Sequence, residues 1–109
     1  MSTLAEKCRR KAETAGLTEL MNNTKWKELC FAFAAMPKPP ALRTLDLLNG
    51  HLSQWEREWF HHVGQESCSI QWLEIDPREC SKEEIEAILR RVNVRFEPSN
   101  GYVKVFGYK

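Results

Sequence analysis

The sequence predicts an α+β fold, with a mostly antiparallel sheet of about five strands and two or three helices packed on one face. Three patterns carry that reading. Helical periodicity dominates the chain before Pro37. Strand-like segments separated by turn residues follow the prolines. A capped helix then leads into a closing β-hairpin.

Each element has its own local cause. Residues 3–15 favour helix, with Leu4, Cys8, Ala12 and Ala15 as a thin stripe and Gly16 as the stop. A stripe of such small residues predicts a lightly docked arm, and Lys7, Arg9, Arg10 and Lys11 read as its solvated face. Asn23 or Thr24 can cap the second helix, where Trp26, Leu29, Cys30 and Phe33 fall at i, i+3, i+4 and i+7. Met36-Pro37-Lys38-Pro39-Pro40 ends it.

Strands are predicted over 43–48, closed by Asn49-Gly50, then over 57–63, and over 69–75, stopped by Asp76-Pro77. Ser81-Lys82-Glu83-Glu84 is a capping box that opens a helix bearing Ile85, Ile88, Leu89 and Val92 on one side. Residues 93–97, the turn 98–101 and residues 102–108 form the hairpin. Residues 1–20 therefore read as a helical extension and 21–109 as a single α+β domain.

Composition narrows the function classes. A net charge of +1 over 109 residues gives no field of the kind a dedicated nucleic-acid or membrane-surface protein uses. No apolar run approaches the roughly 18 residues of a membrane span, and residues 1–20 lack the apolar core of an export signal. Cys8, Cys30, Cys68 and Cys80 are widely spaced with no C-x-x-C pair, which disfavours a zinc ribbon. Four reduced thiols in a cytoplasmic protein, a monomer or weak dimer, are the expectation.

Strand alternation sorts the remaining side chains. In the hairpin, Val94, Phe96, Val103 and Val105 suit the core, leaving Arg95, Tyr102, Lys104, Phe106 and Tyr108 on the other face. Arg57, Trp59 and His61 share one face of the middle strand; Glu58, Phe60 and His62 share the other. Several strands thus carry bulky residues on both faces, and one helix layer covers only one of them. The other face is either closed by the first helix or a loop, or it is an aromatic and charged platform for a partner.

Reactive constellations are thin. His61-His62 is not a chelating pair on a strand, because neighbours point to opposite faces. Nothing supplies an oxyanion hole, a nucleophile elbow or a Gly-rich phosphate loop, so no catalytic residue, metal or cofactor is expected.

Asn22-Asn23-Thr24-Lys25-Trp26, Arg43-Thr44, Trp55-x-x-Glu58-Trp59-Phe60-x-His62, Ile70-x-Trp72 and the closing Gly107-Tyr108 resemble a small bacterial family of unknown function, over residues 21–109. The resemblance places Met21 close to the family's usual start. Leu42 departs from the aromatic that usually precedes the Arg-Thr pair, and Glu56-Arg57 from a common Asp-Gly turn. The resemblance implies no activity; small bacterial proteins of this style are often immunity or antitoxin-like partners.

The expectation is therefore a non-enzymatic protein-binding domain, foremost an immunity or antitoxin-like protein that neutralises a toxin. Trp55, Arg57, Glu58 and Trp59 form the predicted partner patch, flanked by Tyr102 and Tyr108. The competing arrangement has Trp59 in the core and Trp55 as a lid over it. The alternative functions are a small enzyme using His61 or His62 with Glu58, and a weak nucleic-acid-binding protein.

Overall fold

The computed structural model describes residues 3–59 and 67–109. Helices α1 (Leu4–Ala15) and α2 (Asn23–Ala34) precede strand β1 (Leu42–Asp46). A 3-10 turn at Ser67–Ser69 leads into β2 (Ile70–Ile75), followed by α3 (Lys82–Val92), β3 (Phe96–Ser99) and β4 (Tyr102–Phe106). The described residues form a four-stranded sheet in the order β1-β2-β4-β3, with every neighbouring pair antiparallel. Helix α3 carries the chain from β2 across to β3, and β4 returns between them.

The α+β class holds, with four strands rather than about five. Over 57–59 the predicted second strand does not form, while positions 60–63 lie outside the described residues. Instead, residues 51–56 run along the free edge of β1. Glu56 exchanges backbone hydrogen bonds with Leu42 at 2.7 and 2.8 Å, and Ser53 N–H donates to the Thr44 carbonyl at 2.9 Å. The edge of β1 is thereby satisfied without a regular strand.

Each helix begins where a side chain accepts an otherwise orphaned backbone N–H. Thr3 accepts from Glu6 N–H, Asn22 from Lys25 N–H and Ser81 from Glu84 N–H. The cap of α2 is thus one residue earlier than the sequence suggests. Left-handed residues close α1 and α3, at Gly16 and Asn93. In the hairpin, Asn100 and Gly101 both take positive φ, 53° and 85°, the pattern of a two-residue type I′ turn. Strand β3 consequently runs through Pro98 to Ser99, which is possible because it is an edge strand.

Helices α2 and α3 cover one face of the sheet. Trp26, Leu29, Cys30 and Phe33 meet Ile85, Leu89 and Val92 over Leu42, Leu73, Ile75, Val103 and Val105. Lys25 Nζ caps the far end of α3 by donating to the Val92 carbonyl at 2.8 Å. Helix α1 packs elsewhere. Cys8 and Ala12 join Leu47 and Tyr108 in a separate small cluster, bordered by Leu4, Leu17, Leu48 and Cys68. Residues 17–20 then pair with the chain beyond β4: Thr18 and Lys109 exchange backbone hydrogen bonds at 2.8 and 2.9 Å, and Leu20 N–H donates to the Gly107 carbonyl. The segment set apart as an extension is tied to the body at both points. No helix among the described residues is long and apolar enough to cross a membrane.

Candidate functional site

The second face of the sheet is built from residues that alternate with the core positions. The strand registers align Arg43 with Glu74, Glu74 with Lys104, and Lys104 with Glu97. One row across all four strands therefore reads cation, anion, cation, anion, the pairing that favours neighbouring strands. A second row aligns Leu45, Trp72 and Phe106. Trp55, Trp72, Tyr102 and Phe106 belong to neither hydrophobic cluster.

Glu74 is the centre of this face. It is only 4% exposed, between the buried Leu73 and Ile75 of β2. A buried carboxylate requires compensation. Arg43 Nε donates to its Oε1 at 2.8 Å, and Lys104 Nζ stands 3.9 Å from Oε2. Both cations also serve the aromatic rings. The Arg43 guanidinium lies 4.5 Å from the Trp55 ring centroid and 5.3 Å from that of Tyr102. Lys104 Nζ lies 4.2 Å from the Trp72 ring, and Lys109 Nζ 4.6 Å from Phe106 while pairing with Glu97 at 2.9 Å. Each ring is thus in cation–π contact. Trp55 and Tyr102 also touch one another, their centroids 4.8 Å apart.

This arrangement separates the residues that the sequence groups together. Trp55 and Tyr102 are brought into contact on the outer face. Trp59 is not there: it is 1% exposed, stacked on Phe33 at 4.6 Å, with its indole N–H donating to the Pro40 carbonyl at 3.0 Å. Tyr108 is 4% exposed in the small cluster under α1. Its hydroxyl donates to the Cys68 carbonyl at 2.7 Å, and burial pushes its pKa up. The strand carrying Tyr102, Lys104 and Phe106 ends before Tyr108, and Gly107 then passes close to β2. A Cβ there would sit 2.2 Å from the Ile70 carbonyl oxygen.

Arg57 lies apart from the platform, paired with Glu79 in a cleft of about 270 Å³ that Ala41, Asp76 and Arg78 complete. In that cleft burial alone would raise the Asp76 carboxyl, but hydrogen bonds from the Arg78 side chain and backbone hold it below its usual value. Glu58 is exposed. His61 and His62 lie outside the described residues. Among the described residues no group of three His, Cys, Asp or Glu side chains has the arrangement of a metal site.

Arg43, Trp72, Glu74, Glu97, Lys104, Phe106 and Lys109 are the platform residues that the predicted patch omits. One signal in the sequence points to Glu74 and its cations: Glu74 is the charged residue of Ile70–Ile75, and a carboxylate buried there needs a compensating cation or hydrogen bond.

A family model matches residues 8–109. The chain belongs to that family, a family of unknown function (DUF6678). The resemblance read from the motifs is borne out at the level of a family without assigned function. The match begins at Cys8, inside α1 and ahead of Met21, so most of the docked helix falls within it. No curated protein and no solved structure matches the chain.

Proposed function

We propose that this chain is a non-enzymatic binding domain that receives an acidic segment of a protein partner on the outer face of its sheet. An immunity or antitoxin-like role, in which that partner is a toxin domain, is the specific form of this reading. The observation that carries it is the platform itself: half-buried rings, in neither hydrophobic cluster, with Arg43, Lys104 and Lys109 set against Glu74 and Glu97. Exposed Arg95, beside Glu97, adds to the positive side. Aromatic and Arg side chains together are the usual anchors of interfaces, and an excess of one sign selects and steers the opposite.

The sheet's edges favour recognition through the face. Residues 51–56 occupy the edge of β1, and Pro98 removes an N–H from β3. An acidic protein surface suits the platform better than a nucleic-acid strand, because the net charge of +1 is too small to hold a run of phosphates.

Affinity capture from the native host, followed by mass spectrometry and by binding measurements on variants, tests this. Arg43→Glu and Trp55→Ala should each weaken the captured partner by ~2 kcal/mol or more. The partner's contact surface should be acidic, and cross-links should map to β2 and β4. Wild-type affinity in both variants would overturn the reading, as would a captured nucleic acid.

A further inference from the structure

We propose that Cys8 and Cys68 are a modification site: a thiol pair that a hydroperoxide or a low-molecular-weight disulfide converts to an intramolecular disulfide, fastening α1 to the body of the domain. This goes beyond the binding reading and uses none of its residues. The two sulfurs come from elements far apart in the chain, yet they lie 3.8 Å from one another. Cys8 projects from α1 and is 1% exposed; Cys68 lies in the 3-10 turn before β2 and is half-buried. Both belong to the small cluster with Leu47 and Tyr108.

The difference in access sets the order of events. Cys68 meets the oxidant first. Its thiolate sulfur attacks one peroxide oxygen, the O–O bond breaks, and the departing hydroxide takes up a proton to leave as water. The Cys8 sulfur then attacks the sulfur of the Cys68 sulfenic acid. The S–O bond breaks, and the hydroxyl departs with the Cys8 proton as a second water. Two thiols have lost two electrons and two protons, and one peroxide has become two waters. With a low-molecular-weight disulfide, Cys68 forms the mixed disulfide first, and attack by Cys8 expels the second small thiol.

Cys8 is a reluctant nucleophile. Burial, then the neighbouring Cys68, Asp46 and Glu19, push its thiol up to about 12. The second step is therefore slow at neutral pH and accelerates about tenfold per pH unit in the alkaline range. Cys30 and Cys80 are set apart from this chemistry. Both are buried, Cys30 in the main core and Cys80 with its sulfur 3.6 Å from a Glu84 carboxylate oxygen. Burial raises both thiols, with Glu84 adding to the effect at Cys80.

The full chain, reduced and then exposed to hydrogen peroxide or oxidised glutathione, is digested without reductant and analysed by mass spectrometry. A peptide joining Cys8 to Cys68 is expected, with Cys30 and Cys80 still free. Proteolytic cleavage at Lys7 and Lys11 should slow about tenfold, because α1 can no longer lift away. Cys8→Ser and Cys68→Ser should each abolish the cross-link and leave cleavage insensitive to oxidant. Four free thiols after treatment would overturn the proposal. So would Cys68 capped as a sulfinic acid or glutathione adduct beside a free Cys8, a cross-link between two chains, or a cross-link that leaves cleavage unchanged.

Discussion

The four tryptophans divide between two environments, and the division distinguishes the two faces of the sheet. Trp26, on α2, and Trp59, stacked on Phe33 of α2, are 2% and 1% exposed. Trp55 and Trp72 are half-buried on the opposite face, each beside a cation. On the core face a ring contributes through area removed from water and through dense packing. On the outer face a ring keeps part of its area in solvent and is held by Arg43 or Lys104. The same residue type thus serves the fold in one place and is available for recognition in the other. Neither residue type nor spacing along the chain separates the two roles.

That contrast can be broken or sharpened by mutation. The largest effect belongs to the core rings: Trp59→Ala and Trp26→Ala should each cost ~3–5 kcal/mol in denaturant unfolding, the range for large aromatic truncations. A melt within error of wild type would mean that the ring is not part of the core. Glu74→Ala comes next, at ~1–3 kcal/mol, because it leaves Arg43 and Lys104 partly buried without their shared carboxylate. Arg43→Ala combined with Glu74→Ala should cost less than the two single changes added together, and strict additivity would show that the pair is not coupled.

Trp55→Ala should cost only about 1 kcal/mol of stability, the scale of its cation–π contact, while weakening a bound partner. Loss of folding would place Trp55 with the core rings instead. The smallest effect concerns Asp76, at the end of β2. Its folded carboxyl is held below its usual value, so its contribution is present above the unfolded pKa of about 3.9 and is lost as pH falls through the folded pKa. The stability difference between wild type and Asp76→Asn should be constant near neutrality and close as pH falls through the folded pKa, below the usual carboxylate range. A difference that persists in strong acid would show that the Arg78 bonds are not its source.

Much of this was legible in the sequence wherever local chemistry decides. The Trp26 to Phe33 stripe and the Ser81 capping box each produce the element they predict, and the closing hairpin forms with its turn at Asn100-Gly101 and its first strand at Phe96–Ser99, where the sequence predicts the turn over 98–101 after a strand over 93–97. The alternation in β4 correctly divides Val103 and Val105 from Tyr102, Lys104 and Phe106.

Legibility fails where alternation is extended past the last ladder hydrogen bond. Trp55, Arg57 and Trp59 would share a face on a regular strand. The chain holds to the sheet edge through the Glu56 bridge to Leu42, which leaves Trp55 over the outer face, and departs from it after that, so that Arg57 and Trp59 go where tertiary space admits them. Trp59 fills the space beside Phe33, Arg57 finds Glu79, and Trp55 settles on Arg43. Tyr108 fails for the same reason. Gly107 and Tyr108 both donate to the Gln71 carbonyl, and the regular pairing of β4 has ended by then.

The pairing of residues 17–20 with 107–109 has a consequence for how the molecule is made. A ribosome adds about 5–20 residues per second, so α1 exists for several seconds before its docking surface around Tyr108 has been synthesised. Through that interval Cys8 and Ala12 lack Tyr108, one of the buried residues they pack with. Among the described elements, helix α1 is therefore made well before the surface it docks on is complete. Until the segment after β4 is made, α1 lacks both Tyr108 and the backbone pairing of residues 17–20 with 107–109.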